Sequence, residues 1–86
     1  MNRVLAVIGA GTMGRGIAQV FAQSGYEVYL NDSIAKALDE GVAFIHKMLD
    51  RAVQKGTMKA EDSLAIKKRL HPVRSINEAP QCPLII

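Results

Sequence analysis

Five apolar residues in succession, Val4-Leu5-Ala6-Val7-Ile8, are followed by four glycines within eight positions, Gly9, Gly11, Gly14 and Gly16. Strict alternation would predict a half-exposed strand, whereas an unbroken run predicts one covered on both faces, as in a parallel sheet. Ile17, Val20, Phe21 and Ser24 then recur at helical spacing, with Ala18 and Ala22 beside them and Gly25 as a stop. Tyr26 to Asn31, rich in aromatic and β-branched residues, predicts a second strand that ends at Asp32. Leu38, Val42, Ile45, Leu49, Ala52 and Val53 step by three and four, an apolar stripe along a long helix closed by Gly56. A shorter helix is predicted over Ala60 to Arg69, with Leu64 and either Ala65 or Ile66 turned inward. Leu70 to Val73 is a weaker strand signal, because Pro72 has no amide to donate. Ser75 to Pro83 reads as a turn or short helical piece, and Leu84 to Ile86 as the start of another strand. Alternating strands and helices imply an α/β fold, with a parallel sheet and right-handed crossovers.

Composition narrows the class. Eighty-six residues make at most one small domain, able to bury roughly 60–65% of the surface its unfolded chain exposes. Hydrophobic residues at 49% and charged ones at 22% exclude a disordered chain. The single cysteine, Cys82, excludes an internal disulfide and agrees with a reducing, cytoplasmic setting. The early apolar run is too short for a secretory signal, and no stretch approaches the ~20 residues of a membrane span. No metal is expected. The densest basic cluster, Lys67-Lys68-Arg69, falls in a predicted last helical turn, with Glu61-Asp62 in the first. The helix dipole favours that arrangement without a ligand, so a solvated helix end is preferred over a nucleic-acid patch, and no nucleic-acid partner is expected.

The glycines carry the chemistry. Gly9-Ala10-Gly11-Thr12-Met13-Gly14 is G-x-G-x-x-G, a weak pattern alone but a specific one between a strand and a helix with an acidic residue after the next strand. Gly9 would permit the turn out of the strand, Gly11 would let a pyrophosphate lie against the main chain, and Gly14 would let the helix pack closely. The first amides of the helix, aided by its dipole, bind phosphate without a lysine. Asp32, eighteen residues beyond Gly14, would accept hydrogen bonds from the adenosine ribose and repel a 2′-phosphate. Its neighbours Ser33 and Ile34 supply no arginine, which favours NAD over NADP. A flavin fits less well, lacking the glutamate its proteins commonly place after the second strand. The bland alternative is an ordinary strand-to-helix turn, with Asp32 merely capping a helix.

Across essentially its whole length the sequence resembles the amino-terminal NAD-binding domain of the 3-hydroxyacyl-CoA dehydrogenases. VIGAGTMGRGIAQVFA, the strand ending in Asn31-Asp32, and the nearly forty residues between Asp32 and the third strand carry the likeness. That last interval accommodates the family's long-plus-short helix pair. The resemblance implies the first half of a Rossmann-type dinucleotide-binding domain. It also implies reversible hydride transfer between NAD and the 3-hydroxyl carbon of an L-3-hydroxyacyl-CoA, in fatty-acid oxidation or butanoate metabolism. Oxidoreductases of the 3-hydroxyisobutyrate and 6-phosphogluconate type, which share the Met-Gly turn but not the helix pair, remain an alternative, as does a non-catalytic nucleotide-binding module.

The family's catalytic histidine, glutamate, serine and asparagine lie downstream of this chain, so no catalytic residue is expected in it. Neither His46 nor His71 matches them. Lys55 matches a lysine that can meet the CoA phosphates, although a solvated lysine before a helix-ending glycine is the simpler account. Three departures stand out. Lys59 replaces a capping threonine, Met48 a serine that often contacts CoA, and Pro83 the aspartate that opens the fourth strand. Residues 1–86 are therefore expected to be part of an NAD-binding domain. The rest of that domain, and a helical domain with the acyl-CoA pocket and homodimer contacts, would lie elsewhere. Both helical crossovers should cover one sheet face, leaving the other face of Val4–Ile8 bare.

Overall fold

A computed structural model describes residues 3–79 and 84–86. Its elements are β1 (Val4–Ile8), α1 (Thr12–Gln23), β2 (Glu27–Asn31), α2 (Ala35–Gln54), α3 (Ala60–Lys68), β3 (Leu70–Val73) and β4 (Leu84–Ile85), with a 3₁₀ turn at Ile76–Glu78. The strands form one parallel sheet in the order β3-β2-β1-β4. The chain steps outward from β1 to β2 to β3 and then returns to the other side of β1. Two successive right-handed crossovers in one direction put their helices on one face. There α1 packs on α2 and α3, and all three close over the sheet.

The register explains the core. Leu5 lies opposite Val28, and Val28 opposite Leu70, while Val7 lies opposite Leu30. These residues, with Ala18, Ala22, Leu38, Ile45, Leu49 and Ile66, form one buried cluster. The long stripe on α2 is as expected: Leu38, Ile45 and Leu49 are buried, and Val42 packs against them. Pro72 is tolerated because β3 is the sheet's edge in this chain. Cys82 and Pro83 lie outside the described residues.

Two inward faces differ from expectation. On α1 the buried residues are Ala18 and Ala22, while Val20 is 59% exposed and Ser24 lies on the surface. Gly14, Ala18 and Ala22 form a row at four-residue spacing, and small side chains let the helix axis approach the sheet; Ile17 and Phe21 flank that row. On α3, Leu64 is 58% exposed, and the buried residues are Ser63 and Ile66. Three ties orient this nine-residue helix: Ile66 in the core, Lys67 Nζ on Asp50 Oδ1 at 2.7 Å, and Arg69 on α1. Within the basic cluster Lys68 is exposed as a solvated end requires, but Lys67 and Arg69 are engaged by the protein. Arg69 donates from Nε and Nη2 to the carbonyl of Ala22 at 2.9 and 2.8 Å.

The second face carries Val4, Ala6 and Ile8, then Tyr29, His71 and Ile85. Ile8 is 50% and Ile85 59% exposed, as a bare face requires. Ala6 is nevertheless fully buried, being small and placed in register between Tyr29 and Ile85. His71 stacks on Tyr29 with ring centroids 4.6 Å apart, and its Nε2 lies 2.7 Å from Glu27 Oε1.

Candidate functional site

The reversal of strand order falls at β1, between β2 and β4. In open parallel sheets, ligands occupy the crevice beyond the carboxyl end of the strand where the order reverses. That end of β1 is Ile8, and the glycine loop begins at the next residue.

Two of the three motif glycines are required by the fold, each for its own reason. Gly9 has φ of +97°, a conformation other residues adopt only under strain. A β-carbon on Gly14 would lie 1.8 Å from the carbonyl oxygen of Gly9, so only glycine lets α1 start against the loop. Gly11 has neither reason. Its backbone, at φ −70° and ψ −170°, suits any residue, and a β-carbon there would meet nothing within 4 Å. The fold does not ask for glycine at this position. What its missing side chain leaves is open space beside the start of α1.

That helix start is not internally satisfied. The amides of Gly11, Thr12, Met13 and Gly14 have no acceptor among the described residues, Gly11 provides no side-chain cap, and the first turn holds no acidic residue. Four orphan donors at the positive end of a twelve-residue helix have the chemistry that suits an anion. Thr12 and Met13 are exposed above it, Met13 to 79%. Ala10 behaves differently: it is fully buried, and its amide donates to Asp32 Oδ2 at 3.0 Å. Ala10 joins the site through its carboxylate partner rather than through a free amide.

Asp32 follows β2 and bridges two segments. Its Oδ2 accepts from Ala10 and its Oδ1 from the amide of Ile34 at 2.9 Å. The Ala10 amide, then that of Ile34, holds the carboxyl below its ordinary pKa of 3.8, with a smaller contribution from the charge of Arg74. Each oxygen retains a second lone pair for a hydroxyl donor. The geometry thus joins an anion-binding helix start to a fixed, ionised acceptor, the two halves a dinucleotide needs, and the residues present fit NAD.

Three neighbours were not visible in the linear sequence. Gly41 on α2 faces Ala10; a β-carbon there would lie 2.9 Å from the Ala10 carbonyl oxygen, so α2 presses directly on the loop. A glycine inside a helix costs about 1 kcal/mol relative to alanine, which is the signal that could have marked it. Arg15 donates from Nε to Ala10 O at 3.2 Å and lies 5.4 Å over the ring of Phe44, adding positive charge beside the loop. Arg74, just past β3, donates from Nε and Nη2 to the carbonyl of Ser33 at 3.3 and 3.0 Å. The sequence neighbours of Asp32 supply no arginine, but the sheet does.

Lys55 is not part of this cluster. It is the exposed C-cap of α2, fourteen residues beyond Gly41 and so ~21 Å further along the helix. His46, on α2, is held below its ordinary pKa of 6.5 by partial burial and then by Lys67, with Asp50 opposing. No group of three metal-ligating side chains occurs among the described residues, and no described helix is long and apolar enough to cross a membrane.

Residues 4–86 match the family model described as 3-hydroxyacyl-CoA dehydrogenase, NAD binding domain. The chain is 42% identical over 84 residues to 3-hydroxyadipyl-CoA dehydrogenase of Escherichia coli K12, covering 98% of this chain and 18% of the relative. It is 38% identical over 80 residues to a probable 3-hydroxybutyryl-CoA dehydrogenase of Deinococcus radiodurans, covering 93% and 28%. The crystal structure of 3-hydroxybutyryl-CoA dehydrogenase from E. coli K12 superposes with a TM-score of 0.92 at 40% identity, covering 99% of this chain and 18% of that one. The chain thus spans between about a fifth and under a third of the length of these three proteins.

Proposed function

Because the chain belongs to the NAD-binding domain family of the 3-hydroxyacyl-CoA dehydrogenases, we propose that it holds NAD for hydride exchange with the 3-hydroxyl carbon of an L-3-hydroxyacyl-CoA. The amides of Gly11, Thr12, Met13 and Gly14 receive the pyrophosphate in the space that Gly11 leaves open. Gly9 and Gly14 shape the loop, and Ala10 fixes Asp32, whose carboxylate accepts the adenosine ribose hydroxyls. When bound, the nicotinamide supplies the hydride acceptor or donor. The observation that carries this assignment is Gly11, a glycine that neither the backbone nor the packing requires, at the head of four amides without acceptors among the described residues.

The substrate side is inferred from the named relatives. On this proposal Lys55 meets the CoA phosphates, far along α2 from the loop. Residues 1–86 then form the first part of the NAD-binding domain, and the acyl pocket and dimer contacts belong to a helical region outside them. Neither histidine is assigned the proton-transfer role: His71 is engaged by Glu27 and Tyr29 on the second face, and His46 lies on α2. The cytoplasm is the inferred compartment. The 86 residues alone should show no oxidation of NADH by acetoacetyl-CoA, and measurable turnover would overturn that division of labour.

The test of cofactor binding is Gly11→Val, read by calorimetric titration with NAD and by thermal unfolding. The valine should leave the melting temperature nearly unchanged and reduce NAD affinity at least about tenfold, roughly the value of one charge-assisted hydrogen bond. Equal affinity in both proteins would show that no phosphate lies over this loop.

A further inference from the structure

Resting on the NAD assignment above, we propose that Arg74 is a second determinant of cofactor choice, a counter-charge for a 2′-phosphate that Asp32 alone keeps out. The carboxyl ends of β2 and β3 lie side by side, with Asn31 paired to Val73 and the amide of Asp32 donating to Val73 O at 3.2 Å. Asp32 and Arg74 are therefore the next residues on adjacent strands, at the sheet edge where the adenosine ribose sits on the proposed function. Two hydrogen bonds to the carbonyl of Ser33, the residue after Asp32, hold the guanidinium there. Arg74 forms no ion pair among the described residues; its main-chain amide, not its side chain, donates to Glu78 Oε2 at 3.1 Å. A guanidinium has five N–H donors, and the two given to Ser33 leave three, in a planar fork suited to phosphate.

Opposite charges at one edge give opposite preferences. The Asp32 carboxylate accepts from a 2′-hydroxyl and repels a 2′-phosphate, while an arginine at the same place would bind that phosphate. With both present, the carboxylate prevails, because it is fixed by two amides and offers acceptors directly to the ribose. Remove its charge, and the site already contains what NADP binding requires. No new residue has to be introduced.

The experiment is a double-mutant cycle on the whole chain, with NAD and NADP titrated by calorimetry and folding checked by circular dichroism. Asp32→Ala, which removes the acceptors of both the Ala10 and Ile34 amides, is paired with Asp32→Asn, which retains shape and one acceptor should the alanine unfold the loop. Either change should shift the NADP-to-NAD affinity ratio upward by about tenfold or more. Adding Arg74→Gln to either should cancel most of that gain for NADP while altering NAD affinity less than about threefold, and the NADP gain should shrink in high salt. If Arg74→Gln affects both cofactors equally, or neither, the inference is overturned although the NAD assignment stands. If the unsubstituted protein binds neither cofactor, the NAD assignment falls and this inference falls with it.

Discussion

The two ends of α1 are built to different rules. At its carboxyl end almost everything is satisfied. Ser24 donates from both its amide and its hydroxyl to Val20, Gly25 donates to Ala22, Tyr26 donates to Phe21, and Arg69 reaches across from α3 to the Ala22 carbonyl. Gly25, at φ +98°, makes the reversal, and Tyr26 meets Phe21 edge-on with ring centroids 5.1 Å apart. At its amino end four amides are left without acceptors among the described residues, and no side chain there caps them. The contrast separates stability from binding. A helix end that only has to be stable acquires partners, whereas one that must receive a ligand keeps its donors free and open.

The largest effect should come from Gly14→Ala. Its β-carbon would collide with the Gly9 carbonyl at 1.8 Å, a main-chain contact that cannot yield without moving α1 off the loop. We expect a loss of about 3 kcal/mol in denaturant unfolding, at the upper end for overpacking, together with loss of NAD binding. Gly16→Ala is the control two residues on, with nothing within 4 Å of the new carbon. There the same methyl should be neutral or stabilise by up to ~1 kcal/mol, since alanine is the better helix former. If the two substitutions behave alike, close packing is not what the third motif glycine provides. Gly11→Val should separate the properties in the other direction, with binding lost and stability kept.

At the satisfied end, Arg69→Ala removes two hydrogen bonds to Ala22. A cost of about 1–2 kcal/mol is expected in unfolding, with NAD affinity unchanged because the change lies at the opposite end of α1. A comparable loss of NAD affinity would mean that the two ends are coupled. The smallest effect concerns pH. Folded His46 favours its neutral form, while the unfolded chain protonates at its ordinary value of 6.5. The unfolded state therefore takes up more protons as pH falls through that region, so stability declines on acidification and recovers above it. A melting-temperature series should show this as a shallow slope that His46→Gln flattens. Asp32 behaves differently: its lowered pKa contributes stability that is present above 3.8 and lost only below it, so NAD binding should not vary through this group near neutrality.

Much of the fold was legible in local pattern. The apolar run of β1, the stripe on α2 and the stops at Gly25 and Gly56 are all near-neighbour effects, and they appear where expected. So do the turn at Gly9 and the close packing at Gly14 within the glycine loop. The inward faces of α1 and α3 were legible only in part: Ile17, Phe21 and Ile66 face the core as expected, but Val20 and Leu64 do not. Hydrophobicity alone ranks Val20 above Ala18 and Leu64 above Ser63, yet the smaller residue of each pair is the buried one, and on α1 the small side chains let the helix come close to the sheet. Gly41 had a local signal, its cost inside a helix, but nothing in the sequence says what it approaches.

The order of residues along the chain determined that a strand, a glycine turn and a helix would meet an acidic residue one strand later, because backbone preference and side-chain period act over a few residues. Only the tertiary structure decided that Arg74 would stand beside Asp32, forty-two positions away, and that Arg69 would close the far end of α1. Both depend on which strands become neighbours. Sheet pairing brings distant positions within hydrogen-bond range, and no local preference encodes the choice.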